Sequence, residues 1–163
     1  MVRIYMGGDV KCQDVTANEL IALPQADDVD KIRSIPELVI KGYDTPTKMG
    51  EINKMTTRQG SYYLEAARAL GIVERKDGAY RPTRIGLEIA GGDRQKQNQI
   101  LMSCILRLPI IVEIIKLAKN KGLHGVSRED IISLIERKTE YRGTTLMRRT
   151  TTLTSVSYTH LTL

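Results

Sequence analysis

A chain of 163 residues that is 41% hydrophobic and 27% charged has the composition of a folded protein, long enough for one ordinary domain or two very small ones. It contains no Phe and no Trp, so its core must be built from Ile, Leu, Val, Met, Ala and Tyr, which suits compact helical packing. The longest strongly apolar run, residues 110–115, falls far short of the roughly 20 residues a membrane span needs, and the formal charge of +6 directs attention to anionic partners.

That charge is uneven. Residues 1–50 carry 6 Lys/Arg against 8 Asp/Glu, whereas residues 51–163 carry 19 against 11. Basic charge gathered in one portion marks a protein for a polyanionic partner, with a merely solvated basic surface as the alternative. Cys12 and Cys104 lie far apart in unlike contexts, so no disulfide is expected. The first residues lack a basic-then-apolar leader, and the expected location is the cytoplasm.

Residues 1–26 are irregular, broken by Gly7-Gly8 and Pro24, and read as an arm or the remnant of an upstream domain. From Asp27 the pattern turns helical. Val29, Ile32, Pro36, Val39 and Ile40 mark one apolar face, and Asp27, Asp28 and Asp30 favour the positive N-terminal end. Pro36 is expected to kink or break this helix, and Gly42-Tyr43-Asp44 to end it. Thr45-Pro46 then opens a second helix as N-cap and first residue, with Met49 and Ile52 inward.

Thr56 or Thr57 caps a third helix, along which Tyr63, Ala66, Ala67 and Leu70 recur at helical spacing until Gly71 stops it. Two short runs, residues 72–75 and 80–82, flank Asp77-Gly78, the strongest short hairpin signal. Thr83 then caps another short helix. Three helices followed by a hairpin is the order of a winged helix-turn-helix, expected over residues 27–91.

Beyond a Gly91-Gly92-Asp93 turn, a helix is expected from Arg94 to Leu108, with Ile100, Leu101, Cys104, Ile105 and Leu108 inward. Pro109 interrupts it, and residues 110–121 form the next. In "LHGVSREDIISLIERK", Ser127 caps and Asp130 takes the capping-box position where Glu or Gln is usual, with Ile131, Leu134 and Ile135 inward. Gly143-Thr144 starts one more helix. Residues 92–155 therefore read as a helical linker and the front of a second, truncated winged-helix-like unit. Residues 156–161, "VSYTHL", look like the translation of a sequencing adapter, so 156–163 are set aside as an artefact and His160 is not taken as a ligand.

The chemistry-bearing residues sit on the third helix and the hairpin. Arg58, Gln59, Ser61 and Tyr62 occupy the polar front of the helix, away from Tyr63, Ala67 and Leu70. In a helix-turn-helix this front enters the major groove, where Arg can bond guanine in a bidentate manner, Gln can bond adenine, and Ser or Tyr can reach bases or phosphates. Gly60 would allow close approach to a nucleic-acid backbone. On the hairpin, Arg75, Lys76, Arg81 and Arg84 suit phosphate contact. In the second unit Thr144, Thr145, Arg148 and Arg149 form a basic, hydroxyl-rich segment suited to a second DNA contact or to a partner domain. No catalytic, metal or cofactor motif is present; Glu74-Arg75-Lys76 and Glu136-Arg137-Lys138 match half of a nuclease E-x-K site, and His124 stands alone.

"RQGSYYLEAARALGIVE" (Arg58 to Glu74) and the following "YRPTRIGLEIA" resemble a winged-helix domain found in prokaryotic restriction-modification and related defence proteins. The later "IERKTEYRGTTLMRRTTTLTS" resembles the second winged helix that accompanies it, cut off before its usual aromatic end. The resemblance covers residues 22–155 and implies a mainly α fold with small β-hairpin wings, a tandem winged helix-turn-helix. It implies a module for double-stranded DNA, at times attached to a nuclease domain or subunit, and no such domain is visible in this sequence. Winged-helix regions appended to transporter-associated ATPases share the "LG…E…G…TxxG" outline. The expected function is sequence-preferring duplex recognition without enzymatic activity, with a homodimer as one arrangement. A protein–protein scaffold or a transcriptional regulator on the same fold is the alternative.

Overall fold

In a computed structural model of the chain, residues 26, 28–122, 125–138, 143, 147, 150 and 151 are described. Helix α1 (Val29–Ile40) begins at Asp28, whose carboxylate accepts from the backbone N–H groups of Asp30 and Lys31 at 3.0 and 3.1 Å. Pro36 neither breaks nor ends it. The hydrogen bond lost at the ring is offset by burial of Pro36 with Ile32, Ile35 and Val39 on one stripe. Ile40, expected inward, is 54% exposed, because it lies about 100° around the helix from Val39. Ile35, which the apolar face drawn from the sequence left out, is buried in the core instead.

Gly42, at φ +94°, turns the chain out of α1 and into α2 (Pro46–Ile52), capped by Thr45. Met49 is fully buried, but Ile52 is 42% exposed and does not face inward as expected. The inward side of α2 is Met49 and Gly50, the residues against which α3 (Thr57–Ala69) packs. Thr56 caps α3 through a complete capping box: Gln59 N–H donates to Thr56 Oγ1 at 3.2 Å, and Thr56 N–H donates to Gln59 Oε1 at 3.0 Å.

Gly60 serves this helix pair. It is buried, and a Cβ there would land on the Pro46 carbonyl oxygen and 2.8 Å from the Gly50 nitrogen. Its missing side chain is used inside the protein, where α2 and α3 meet backbone to backbone, and not for approach to a ligand.

Strands β1 (Val73–Lys76) and β2 (Ala79–Pro82) pair antiparallel in the register Val73↔Pro82, Glu74↔Arg81, Arg75↔Tyr80 and Lys76↔Ala79. Asp77 and Gly78, at φ +53° and +83°, form the two-residue turn whose twist suits a hairpin. Thr83 closes the base: its hydroxyl donates to Gly71 O at 2.6 Å and accepts from Gly86 N–H at the start of α4 (Arg84–Ala90).

Helix α5 (Arg94–Leu106) ends two residues earlier than expected, because Leu108 precedes Pro109 and is held extended at ψ 126°. Leu108 thereby becomes the N-cap residue of α6 (Pro109–Lys121), and α7 (Arg128–Lys138) follows. Leu101, Cys104 and Ile105 of α5, Ile110, Ile111 and Ile114 of α6, and Ile131, Leu134 and Ile135 of α7 are buried. They continue the hydrophobic core begun by α1–α4, and Ile100 sits half-buried at its edge.

One charge lies within that packing. Arg33 is 5% exposed and donates through Nη2 to Asp30, while its Nε and Nη1 have no partner among the described residues. Arg94 of α5 donates to the same Asp30 oxygen at 3.0 Å, tying α5 to the start of α1. Against the upward push of burial, the two guanidinium groups hold the Asp30 carboxyl below its usual range.

The expected capping box on α7 is present with Asp in the Glu position. Ser127 N–H donates to Asp130 Oδ2 at 2.8 Å, and Asp130 N–H donates to Ser127 Oγ at 3.2 Å. Lys121, at the end of α6, donates to the same Asp130 oxygen at 2.5 Å. The Lys121 hydrogen bond, then those of Ser127, draw the Asp130 carboxyl down to about 2 from an ordinary 3.8. A depressed folded-state pKa contributes stability that is complete above the unfolded value and lost as pH falls through the folded one. The α6–α7 junction should therefore weaken between about pH 4 and pH 2. Asp130→Asn should lower the unfolding temperature at pH 6 and flatten its fall over that acid range; an unchanged acid limb would remove Asp130 from the account.

Candidate functional site

The solvent side of α3 is built by subtraction. Gly60, Tyr63, Leu64, Ala66 and Ala67 are buried, which leaves Arg58, Ser61, Tyr62, Glu65 and Arg68 as a stripe at helical spacing. Arg58 is exposed, and Ser61 and Tyr62 are half-buried. Arg58 Nε donates to the Tyr62 hydroxyl at 2.5 Å, and the guanidinium carbon lies 5.6 Å from the Tyr62 ring centroid. One turn of helix separates the two residues, so Tyr62 holds Arg58 through its Nε. The two terminal nitrogens remain for a planar acceptor, the side of the fork that suits bidentate contact.

Gln59 is placed differently. It is exposed, but its Oε1 accepts from both the N–H and the hydroxyl of Thr56. Bidentate recognition of adenine needs that oxygen as well as the amide nitrogen, so base contact by Gln59 would have to open the capping box.

The hairpin splits its cations between two faces. Arg75 pairs with Tyr80, and its guanidinium carbon lies 6.0 Å from the Tyr80 ring centroid. Lys76 and Arg81 belong to the other face, where Arg81 sits opposite Glu74 and also lies 3.8 Å from Asp77. Arg84 is not on the hairpin: it is the first residue of α4, exposed, and 3.4 Å from Glu88. Thr144, Thr145, Arg148 and Arg149, together with His124, lie outside the described residues.

Ion pairing sorts the basic residues between 28 and 91. Lys31, Arg33, Lys41, Lys48, Arg68, Arg81 and Arg84 each lie within 4.0 Å of a carboxylate. Arg58, Arg75 and Lys76, three residues singled out from the sequence, have no such pair among the described residues, and Lys54 joins them. Lys54 is exposed in the turn between α2 and α3, at φ +53°. Sequence reasoning passed over it because a lysine in "EINKMTT" carries no pattern; the signal available was its place just before the cap of α3.

Glu65 is the exception on a basic stripe. Its carboxylate accepts from the Tyr80 hydroxyl and, at 2.9 Å, from Arg68 Nε. Burial pushes this carboxyl up, and the bonds from Tyr80 and Arg68 with the charges of Arg68 and Arg75 carry it below its usual range. Burial and the Glu65 contact together push the Tyr80 phenol up to about 12.

Among the described residues no group of three or more His, Cys, Asp or Glu is placed to hold a metal ion, and no helix is long and apolar enough to cross a membrane. Cys104 is buried, and burial pushes its thiol up, so it stays protonated near neutral pH.

These residues define a mainly helical protein with a small two-stranded antiparallel sheet packed beside its third helix. The chain belongs to the family described as a domain of unknown function, DUF7226, whose match runs over residues 32–156 and so takes in every element from within α1 to α7. No curated protein and no solved structure matches it.

Proposed function

We propose that the chain is a winged helix-turn-helix module that binds double-stranded DNA, with α3 presented to the major groove and the hairpin to the backbone. One observation carries this reading. Among the described residues, the cations left without carboxylate partners between residues 28 and 91 are confined to the turn before α3, the front of α3 and the hairpin. Structural cations are neutralised by neighbours, whereas cations meant for phosphate must be left available. In this reading Arg58 meets a base edge or phosphate, Ser61 and Tyr62 flank it, and Lys54, Arg75 and Lys76 hold the backbone, joined by Arg81 once its long, exposed 3.8 Å pair with Asp77 gives way.

A tandem arrangement, with residues 92–155 as a second, truncated unit, and a place in restriction-modification or defence rest on the resemblance of "RQGSYYLEAARALGIVE" and "IERKTEYRGTTLMRRTTTLTS". The same resemblance supports a nuclease domain or subunit as partner.

The test is duplex binding against salt. With four phosphate contacts, log affinity should fall with log salt at a slope of roughly −3.6. Absence of duplex binding at low salt would overturn the proposal and favour a protein-binding scaffold on the same fold.

A further inference from the structure

We infer that Glu65 and Tyr80 are a positioning pair that locks the hairpin to α3 and so holds Arg75 in place for the backbone; this rests on the duplex-binding reading. The two residues are 15 apart in sequence, and the hydrogen bond from the Tyr80 hydroxyl to Glu65 Oε1 spans from β2 to the helix. A glutamate on a phosphate-binding stripe would repel the ligand if left bare. Here Tyr80 and Arg68 occupy its two oxygens, so its position is explained by the link it makes.

Tyr80 is held at three points. The residue is 3% exposed, its N–H donates to Asp44 O at 2.8 Å, and its hydroxyl reaches Glu65. Its cross-strand partner is Arg75, whose guanidinium lies over the ring. The chain of contacts Glu65–Tyr80–Arg75 therefore transmits the position of α3 to a hairpin cation. Arg58 stands seven residues before Glu65 on the same stripe, about 10 Å along the helix axis. A pair of four-residue strands is marginally stable alone, and a hairpin free to pivot would have to be ordered on binding.

Tyr80→Phe keeps the ring, its packing and the contact with Arg75, and deletes only the hydroxyl. It should weaken duplex binding roughly tenfold at fixed salt, the scale of a hydrogen bond to a charged group. A general loss of fold quality would multiply with any other substitution. The pair acting through Arg75 predicts otherwise: in an Arg75→Ala background Tyr80→Phe should cost less than about twofold, while in an Arg58→Ala background it should keep its full effect. Glu65→Gln, which preserves an acceptor, should retain most of the affinity that Glu65→Ala loses. Equal fold-losses in the Arg75→Ala and wild-type backgrounds, or no loss at all, would overturn the inference.

Amide hydrogen exchange separates this result from failure of the DNA reading. Tyr80→Phe should accelerate exchange at residues 79–81 about tenfold and leave α3 unchanged. If wild-type protein binds no duplex, unchanged exchange at the hairpin would still dismiss the pair, and accelerated exchange would retain it as the hairpin's anchor.

Discussion

Gly60→Ala should destabilise the protein by about 3 kcal/mol, the upper part of the usual range for forcing extra volume into a packed site. Elsewhere in a helix the same change is favourable by roughly 1 kcal/mol, because alanine is the better helix former. The sign reverses here because the new methyl group would meet the Pro46 carbonyl oxygen and the backbone at Gly50, and backbone cannot swing aside as a side chain can. Helices α2 and α3 would be forced apart, and the α2–α3 angle sets how α3 is presented. Urea or thermal unfolding measures this directly. A variant as stable as the parent would show that α2 and α3 do not meet through Gly60.

Arg58→Ala carries the largest expected effect on the proposed activity. A bidentate arginine contributes about 1–3 kcal/mol of discrimination, so binding to a preferred duplex should weaken by roughly tenfold to a hundredfold. Binding to random duplex should fall less. Arg58→Lys is the sharper comparison: it keeps the charge and hence the salt slope, but a point charge loses the fork and with it the discrimination. If Arg58→Ala weakened preferred and random duplex equally, Arg58 would be a phosphate contact, and base readout would have to be sought at Ser61 or Tyr62. Tyr62 enters the same experiment because it holds Arg58 through Nε, leaving the terminal nitrogens oriented.

How these two residues were legible beforehand differs. Arg58 stood out because it lies in a polar helix front next to an apolar helical repeat, both local properties. The place of Gly60 in the helix was equally plain, yet its purpose was misassigned to ligand approach, since nothing near it in sequence reveals that Pro46 and Gly50 pack against it. Gln59 shows the same limit. Its sequence position points to base contact, but its availability to a ligand depends on where its side-chain oxygen is spent, and that oxygen closes the cap of α3. Lys54 escaped notice because an isolated lysine is ordinary; only the pairing of the cations around it makes it distinctive.

Most helix starts and the hairpin turn were legible locally, since caps and turn glycines act within a few residues, whereas the end of α5 and the passage of α1 through Pro36 were not. Thr45, Thr56, Thr83, Asp77-Gly78 and Ser127-Asp130 were all readable in this way. The sequence by itself also determined the broad class, mainly helical with a small hairpin, because periodicity and turn chemistry are local signals. Tertiary structure alone decided which apolar residues stay exposed, such as Ile40 and Ile52, and which glycines admit a neighbouring backbone. It alone decided that Glu65 answers to Tyr80 and that Arg33 and Arg94 share Asp30. The Asp30–Arg33 contact is local, but Glu65–Tyr80 and Asp30–Arg94 join residues 15 and 64 positions apart, and chain folding sets those distances through packing that no local pattern encodes.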